Sequence, residues 1–325
     1  MPQLFTITDE WNEQPWFSTG GTRAKKYLQS PEGKFYYFKR SQYKDATDNK
    51  PGKDFTYEFW SEVIAYEVGA TLGFNVLRYD IAIDGKIMGC ISESMINSES
   101  QELIEVVKFL QAYTTFNPED KKDRAKYTFQ LIIDSLNIFS PNTFIEAVIE
   151  TIIFDTIIGN GDRHQENWAI ISEFSLEEDT TAEGITKVYY KAPEEFAPIY
   201  DNGSSLGREL IVEKVETLLQ SDGDIYKYID KGLSEIHWEG KKVSHFELIG
   251  KLLESTLYNE IVKTIINRVL EKWDGPKIEQ IVKEIDRLVP ESHSIYKIPD
   301  SRKLLIFKII TLRRNRLATL IHERI

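Results

Sequence analysis

Three residues in two short segments have the types and spacing that phosphoryl transfer would require. Gly159-Asn160-Gly161-Asp162-Arg163-His164-Gln165-Glu166-Asn167 places an acid and an amide five residues apart, directly after a long apolar stretch. Ile199-Tyr200-Asp201-Asn202-Gly203 places a lone carboxylate between a short apolar run and a glycine turn. Phosphoryl transfer needs a carboxylate to orient the attacking hydroxyl and accept its proton. It also needs an amide oxygen and a second carboxylate to hold magnesium against nucleotide phosphates. Asp162, Asn167 and Asp201 are the candidates for those roles, in that order. An aspartate in a glycine-flanked turn more often only caps the turn; the company of Asn167 and Asp201 is what favours chemistry. His164 is either an acid–base group or a brace for the loop, and bracing is the preferred reading. Arg163 either steers an anionic phosphate or pairs with a nearby carboxylate.

Phosphates must also be cradled by backbone N–H groups that approach closely, which favours glycine and small polar residues. Ser18-Thr19-Gly20-Gly21-Thr22-Arg23 meets that need, with Ser18, Gly20, Gly21 and Thr22 as candidate contacts, although a Gly-Gly pair alone is more often a turn. No Gly-Lys-Ser/Thr follows, so this is not a Walker A loop. Lys39 alternates with Phe35 and Tyr37 and is expected on the inner face of its strand, whereas Arg40 points outward. A lysine there needs a carboxylate partner; Glu62 on the next helix is chosen, with Glu58 one turn earlier as the rival.

The elements that must position these groups follow from local patterns. Ala24 to Gln29 and Lys34 to Arg40 flank Ser30-Pro31-Glu32-Gly33 and predict a hairpin. Thr56 to Leu72 predicts a helix with Phe59, Val63, Tyr66 and Ala70 on one face, ending near Gly73. Val76 to Ile83 and Lys86 to Ser92 predict strands around Asp84-Gly85. Ser94 to Glu99 is the expected hinge into a helical second half. Ser140-Pro141 reads as the start of a central helix, with Ile145, Val148, Ile149, Ile152, Ile153 and Thr156 buried and Gly159 closing it. Trp168 to Ile171 and Val188 to Tyr190 read as strands around an acidic loop, Glu173 to Glu183. The last eighty residues read as amphipathic helices, the final one with a solvated cationic side at Arg313, Arg314 and Arg316. The expected fold class is α+β, a bilobal kinase-like arrangement with a β-rich N-lobe (1–96) and a mainly helical C-lobe (97–325).

Composition narrows the partners. A net charge of −12 argues against a general nucleic-acid or anionic-membrane surface. The single cysteine, Cys90, forbids an internal disulfide and fits a reducing cytoplasm. Met1 to Glu10 lacks a basic segment leading into an apolar run, so no signal peptide is expected, and Glu146, Glu150 and Asp155 interrupt the most apolar stretch. The five histidines are scattered, and with one cysteine they build no zinc spacing. No G-x-S-x-G elbow supports a serine hydrolase.

The GNGDRHQEN and IYDNGSS segments together resemble the HipA-like serine/threonine kinases, a bacterial family with an atypical two-lobed kinase fold. The resemblance includes a GG-x4-K element ending at Lys26 (or Lys25 if shifted by one), FYYFK ending at Lys39, and SEVIAYEVGATLG from Ser61 to Gly73. It implies Asp162 as catalytic base, Asn167 and Asp201 as magnesium ligands, Lys39 on the ATP phosphates, and adenine against the backbone from Glu93 to Met95. It implies a serine or threonine hydroxyl of a protein as acceptor. Larger members carry an extra N-terminal segment and pair with a DNA-binding antitoxin. Here the glycine loop begins within twenty residues of Met1, so that pairing is doubtful and a stand-alone member is expected. Some members phosphorylate a serine in their own phosphate loop; Ser18 is the nearest equivalent here, and Thr22 lies in the same loop. The D-R-H-x-x-N motif also resembles phosphoinositide kinases. Those have D-F-G where this chain has Asp201-Asn202-Gly203, and a short interval where thirty-four positions separate Asn167 from Asp201. Two alternatives stand beside a protein kinase: a lipid or small-molecule kinase using the same centre, and a pseudokinase that binds nucleotide without turnover.

Overall fold

A computed structural model describes residues 1–15, 25–41, 43–44, 53–178, 186–191 and 195–322. The N-terminal part is built on a six-stranded sheet of order β1-β7-β8-β4-β3-β2. Its strands are β1 (Leu4–Ile7), β2 (Asn12–Glu13), β3 (Lys25–Gln29), β4 (Phe35–Arg40), β7 (Asp80–Asp84) and β8 (Ile87–Glu93), with a separate short pair, β5 (Tyr43–Lys44) and β6 (Lys53–Asp54). β1 runs parallel to β7, and the other neighbours are antiparallel. Both expected hairpins form: Lys25 faces Lys39 across β3 and β4, and Asp84-Gly85 turns β7 into β8 with Gly85 at φ 60°.

The expected strand from Val76 starts only at Asp80. Val76 instead forms a parallel bridge to Ile199, and Leu77 N–H donates to the Ile199 carbonyl, so the chain entering the Asp201 turn is tied to the sheet side of the molecule. Helix α1 (Glu58–Leu72) ends at Gly73 in the left-handed region, φ 82°, with the Phe74 N–H returned to the Gly69 carbonyl. The expected one-sided burial needs correction. α1 is buried on nearly every side, because it is packed between β8 and helix α10 of the C-terminal half, and Ala70 is exposed in a groove beside α10.

The second half contains β9 (Gln101–Glu105), α2 (Val106–Tyr113), α3 (Lys121–Arg124), α4 (Phe129–Asn137), α5 (Ile145–Ile158), β10 (Ala169–Glu178), β11 (Thr186–Tyr190) and β12 (Glu195–Phe196). It continues with α6 (Val212–Leu218), α7 (Asp222–Asp230), α8 (His245–Glu254), α9 (Asn259–Glu271), α10 (Gly275–Glu284) and α11 (Asp300–His322). α5 begins at Ile145, not at Ser140-Pro141. Asn142 sits at φ 59°, outside the helical region, and its N–H donates to the Asn137 side chain. From Val148 to Ile158 every residue of α5 except Glu150 is buried, as befits a helix surrounded by α8, α9 and α11. The acidic stretch is also corrected: Glu173 to Glu178 continue strand β10, antiparallel to both β9 and β11, and residues 179–185 lie outside the described residues.

One apolar cluster runs from α1 and the inner face of β7 and β8 through α5, α8, α9 and α11. A second, on the outer face of the sheet, takes Leu28, Tyr36, Phe38, Ala82 and Ile91. β4 alternates between the two faces, so burying Tyr36 and Phe38 outward turns Phe35, Tyr37 and Lys39 inward. Among the described residues no helix is long and apolar enough to cross a membrane.

Candidate active site

Lys39 lies opposite Cys90 in the β4–β8 register, on the face that α1 covers. Its ammonium has three donors, and three acceptors stand at 3.2 Å each: Glu62 Oε1, Tyr79 Oη and Asp201 Oδ1. Burial acts against the charge, but Asp201 and Glu62 outweigh it and hold Lys39 well above its ordinary pKa. Burial raises the Tyr79 hydroxyl, so Tyr79 is neutral there. Glu62 is therefore the carboxylate that meets Lys39; its rival Glu58 pairs with Arg208 instead. Glu62 Oε2 accepts from the Asn202 N–H at 2.6 Å, which holds the Asp201 turn against α1. Asp201 itself sits at φ 57°, a left-handed backbone costing a non-glycine residue about 1–2 kcal/mol.

The Asp162 loop starts where α5 ends. Gly159 is left-handed at φ 71°, and the N–H groups of Gly159 and Asn160 both return to the Asp155 carbonyl. Asn160 bridges inward, donating from Nδ2 to Asp155 Oδ1 at 3.1 Å and accepting at Oδ1 from the Asp162 N–H at 3.2 Å. Asp162 is half-buried, and its Oδ2 accepts from Ser204 Oγ at 3.0 Å. Asn167 Nδ2 donates to the Asp162 carbonyl at 2.6 Å, which fixes the amide with its oxygen turned away from that bond.

Arg163 resolves the choice left by the sequence: it is 1% exposed and pairs with a carboxylate. Its Nε and Nη2 bond Asp155 Oδ2 and Oδ1 at 2.9 and 2.8 Å, a fork-on-carboxylate geometry. Nη1 donates to the carbonyls of Asn167 and Tyr200, and Nη2 also reaches Asn202 Oδ1 at 2.7 Å. One guanidinium thus clamps the end of the Asp162 loop to the residues on both sides of Asp201. Burial opposes its charge, and Asp155 more than restores it.

Beneath the loop, Arg313 of α11 donates to the Thr156 carbonyl at 2.9 Å and the Ile229 carbonyl at 3.4 Å, in the last turns of α5 and α7. Those turns carry partial negative charge, which stabilises a buried cation. Burial and then Arg313 push His245 down to about 3, so a neutral His245 Nδ1 accepts from Arg313 at 3.2 Å. The expected solvated cationic side of α11 is therefore corrected: Arg313 is 3% exposed, and Arg314 lies over the Trp273 ring at 5.4 Å. A Cβ on Gly159 would stand 2.9 Å from Arg313 Nε. Gly159→Ala is expected to destabilise the fold by about 1–2 kcal/mol from backbone strain alone, with the Arg313 contact adding to it. A denaturant midpoint equal to that of the unsubstituted protein would contradict this.

The remaining candidates separate. Lys25 shares the Lys39 face, whereas Lys26 faces the other way and pairs with Asp84 at 2.8 Å. Glu105, at the end of β9, is raised first by burial and then by Glu166, with Lys25 among the charges opposing the shift. His164 stays within its own loop, its Nδ1 accepting from the Glu166 N–H at 3.4 Å. Glu93 is exposed and pairs with Lys34, and Met95 packs beside Ala169, Ile171 and Ala197. Ser18, Gly20, Gly21 and Thr22 lie outside the described residues. Several groups carried no local signal in the sequence: Tyr79, Asp155, Ser204 and the ring contacts of Tyr27, stacked on Phe35 at 5.3 Å and tilted against Tyr37 at 4.8 Å.

Asp201 and Asn167 offer a carboxylate and an amide oxygen, hard donors suited to magnesium. The described residues hold no group of three or more His, Cys, Asp or Glu placed for a metal. Two protein oxygens are nevertheless enough for an ion that takes its other ligands from phosphates and water.

Among solved structures, the Helicobacter pylori proinflammatory kinase CtkA resembles this chain over its whole length. The likeness covers 99% of this chain and 98% of that one at 16% identity, with a TM-score of 0.70. HipA, in its complex with HipB and operator DNA from Shewanella oneidensis MR-1, matches at 13% identity and a TM-score of 0.49, over 97% of this chain and 68% of that chain. No family model and no curated protein sequence matches. The likeness to CtkA is one of fold: the chain has a bilobal kinase-like fold, β-rich in its N-terminal part and helical in its C-terminal part.

Proposed function

We propose that this chain is an ATP- and magnesium-dependent protein kinase that transfers a phosphoryl group to a serine or threonine hydroxyl. One observation carries the reading: Lys39 meets Glu62 and Asp201 at once, and the same turn that presents Asp201 is clamped by Arg163 to the loop bearing Asp162 and Asn167. That arrangement joins a phosphate-binding cation, a metal-side carboxylate and amide, and a proton acceptor on a framework with little freedom.

In this reading Lys39 binds the nucleotide phosphates, and Lys25 stands on the same face of the sheet. Phe35 and Tyr37 share that face, half-buried and backed by the buried Tyr27, and offer an aromatic surface to the base, near the backbone from Glu93 to Met95. Asn167 and Asp201 hold magnesium, which supplies charge neutralisation at the phosphates when bound. Asp162 orients the acceptor hydroxyl and accepts its proton. A cleft of about 490 Å³, lined by Gly161, Asp162, Ser204, Lys231 and Leu233 among others, gives the acceptor room beside that carboxylate. One buried cysteine and no disulfide among the described residues suit a cytoplasmic setting.

Lys39→Met tests the nucleotide side. Its affinity for magnesium·ATP is expected to fall about 10- to 100-fold, the equivalent of losing a charge-assisted hydrogen bond of about 1.5–3 kcal/mol. Isothermal calorimetry reads this directly, and an unchanged affinity would overturn the assignment of Lys39.

A further inference from the structure

We infer that Ser204 is a positioning residue for the proton-accepting carboxylate, working through Asp162 and not through the nucleotide. The inference rests on the kinase reading above. Ser204 stands three residues after Asp201, on a segment pinned at several points. The Asn202 N–H is held by Glu62 at 2.6 Å, Ser205 Oγ donates to the Asn202 carbonyl at 2.6 Å, and Ser61 Oγ donates to the Ser205 carbonyl at 3.1 Å. From that fixed backbone Ser204 Oγ donates to Asp162 Oδ2 at 3.0 Å.

Among the described residues, the other hydrogen bonds of Asp162 are made by its backbone, with Asn160 on the N–H and Asn167 on the carbonyl. Among the described residues, Ser204 supplies the hydrogen bond that orients the carboxylate itself. A carboxylate has two oxygens and about four acceptor positions, so one serine leaves capacity for an incoming hydroxyl. Ser204 and Asp162 both line the 490 Å³ cleft, so the serine sits where the carboxylate meets the acceptor. The consequence is mechanical coupling: the turn that carries Asp201 also sets the direction of the Asp162 carboxylate.

A misdirected base slows a positioned reaction by up to about 100-fold without weakening the binding of a remote group. The experiment uses the full chain and reads ADP formation from magnesium·ATP with dephosphorylated casein as acceptor, alongside ATP affinity by calorimetry and the unfolding midpoint. Ser204→Ala is expected to lower kcat about 10- to 100-fold, with ATP affinity within twofold and the midpoint little changed. Ser204→Thr, which keeps the hydroxyl, is expected to retain kcat within a few-fold. Equal kcat in the protein and Ser204→Ala overturns the positioning role alone. A drop shared by Thr and Ala overturns it as well, because the hydroxyl would not be the cause. A phosphate mapped to Ser204 by mass spectrometry also overturns it, since the serine would then be an acceptor. No turnover by the unsubstituted protein removes the kinase reading, and the positioning role with it.

Discussion

Asp162→Asn is expected to lower kcat by roughly 10²–10⁴-fold while leaving magnesium·ATP affinity within about twofold, the range that general-base catalysis contributes. The substitution is close to isosteric. Asparagine can still accept the Ser204 hydroxyl at Oδ1, and the backbone bonds from Asn160 and to Asn167 do not involve the side chain of residue 162. What it loses is the capacity to take a proton. Lys39, Asn167 and Asp201 are untouched, so nucleotide binding should persist. Turnover measured with calorimetry on the same sample separates the two effects. If affinity collapsed together with kcat, Asp162 would be a metal ligand and its assignment as the proton acceptor would be wrong.

Arg163→Met carries the largest expected cost in stability, about 3–5 kcal/mol, the range for breaking a buried ion pair by removing one partner. Asp155 is 4% exposed and would be left without its cation, and the carbonyls of Asn167 and Tyr200 would each lose a donor. Adding Asp155→Leu should recover part of the loss, since an apolar pair in place of a buried ion pair is often near neutral. The carbonyl bonds would remain unmade, so recovery should be incomplete; a double-mutant cycle measures the coupling. The single variant should also show a characteristic pH dependence. Burial already raises the Asp155 carboxyl, with Arg163 opposing, so removing Arg163 lifts it further above the unfolded value of about 3.9. A raised folded pKa favours folding only while the group is protonated. The deficit relative to the unsubstituted protein should therefore be smallest below about pH 4 and grow as pH rises. A deficit that is flat with pH would mean that Asp155 is not the group left behind.

The parts of this molecule that were legible in the sequence are those governed by short-range rules. Gly73 and Gly159 end their helices because glycine accepts a left-handed backbone, and Asp84-Gly85 turns its hairpin for the same reason. The two-residue period of β4 placed Lys39 on the α1 face once Tyr36 and Phe38 were committed to the other. The spacing of Asp162 and Asn167 marked the loop, and the glycine-flanked Asp201 marked its partner. What the pattern missed depended on contacts and backbone geometry that residue types alone do not carry. Arg313 looked like part of a solvated stripe, yet the ends of α5 and α7 converge on it. Ala70 shares a face with Phe59 and Val63 in the sequence pattern, yet it is exposed in a groove beside Lys277 and Gln280 of α10. Asp155 was counted as a charge interrupting an apolar helix; it is instead the counter-ion of Arg163, eight residues on. Ser140-Pro141 carried a strong helix-start pattern that the backbone at Asn142 overrides.

In the proposed function the turn at Asp201 and the loop at Asp162 form one phosphoryl-transfer centre. The most direct measurement incubates the purified chain with magnesium and ATP labelled at the γ-phosphate, with dephosphorylated casein present, and follows label into protein. Incorporation on serine or threonine is expected, abolished by removing magnesium and reduced at least a hundredfold in Asp162→Asn. No incorporation into casein or into the chain itself, despite measurable ATP binding, would contradict it and leave a nucleotide-binding protein without transferase activity.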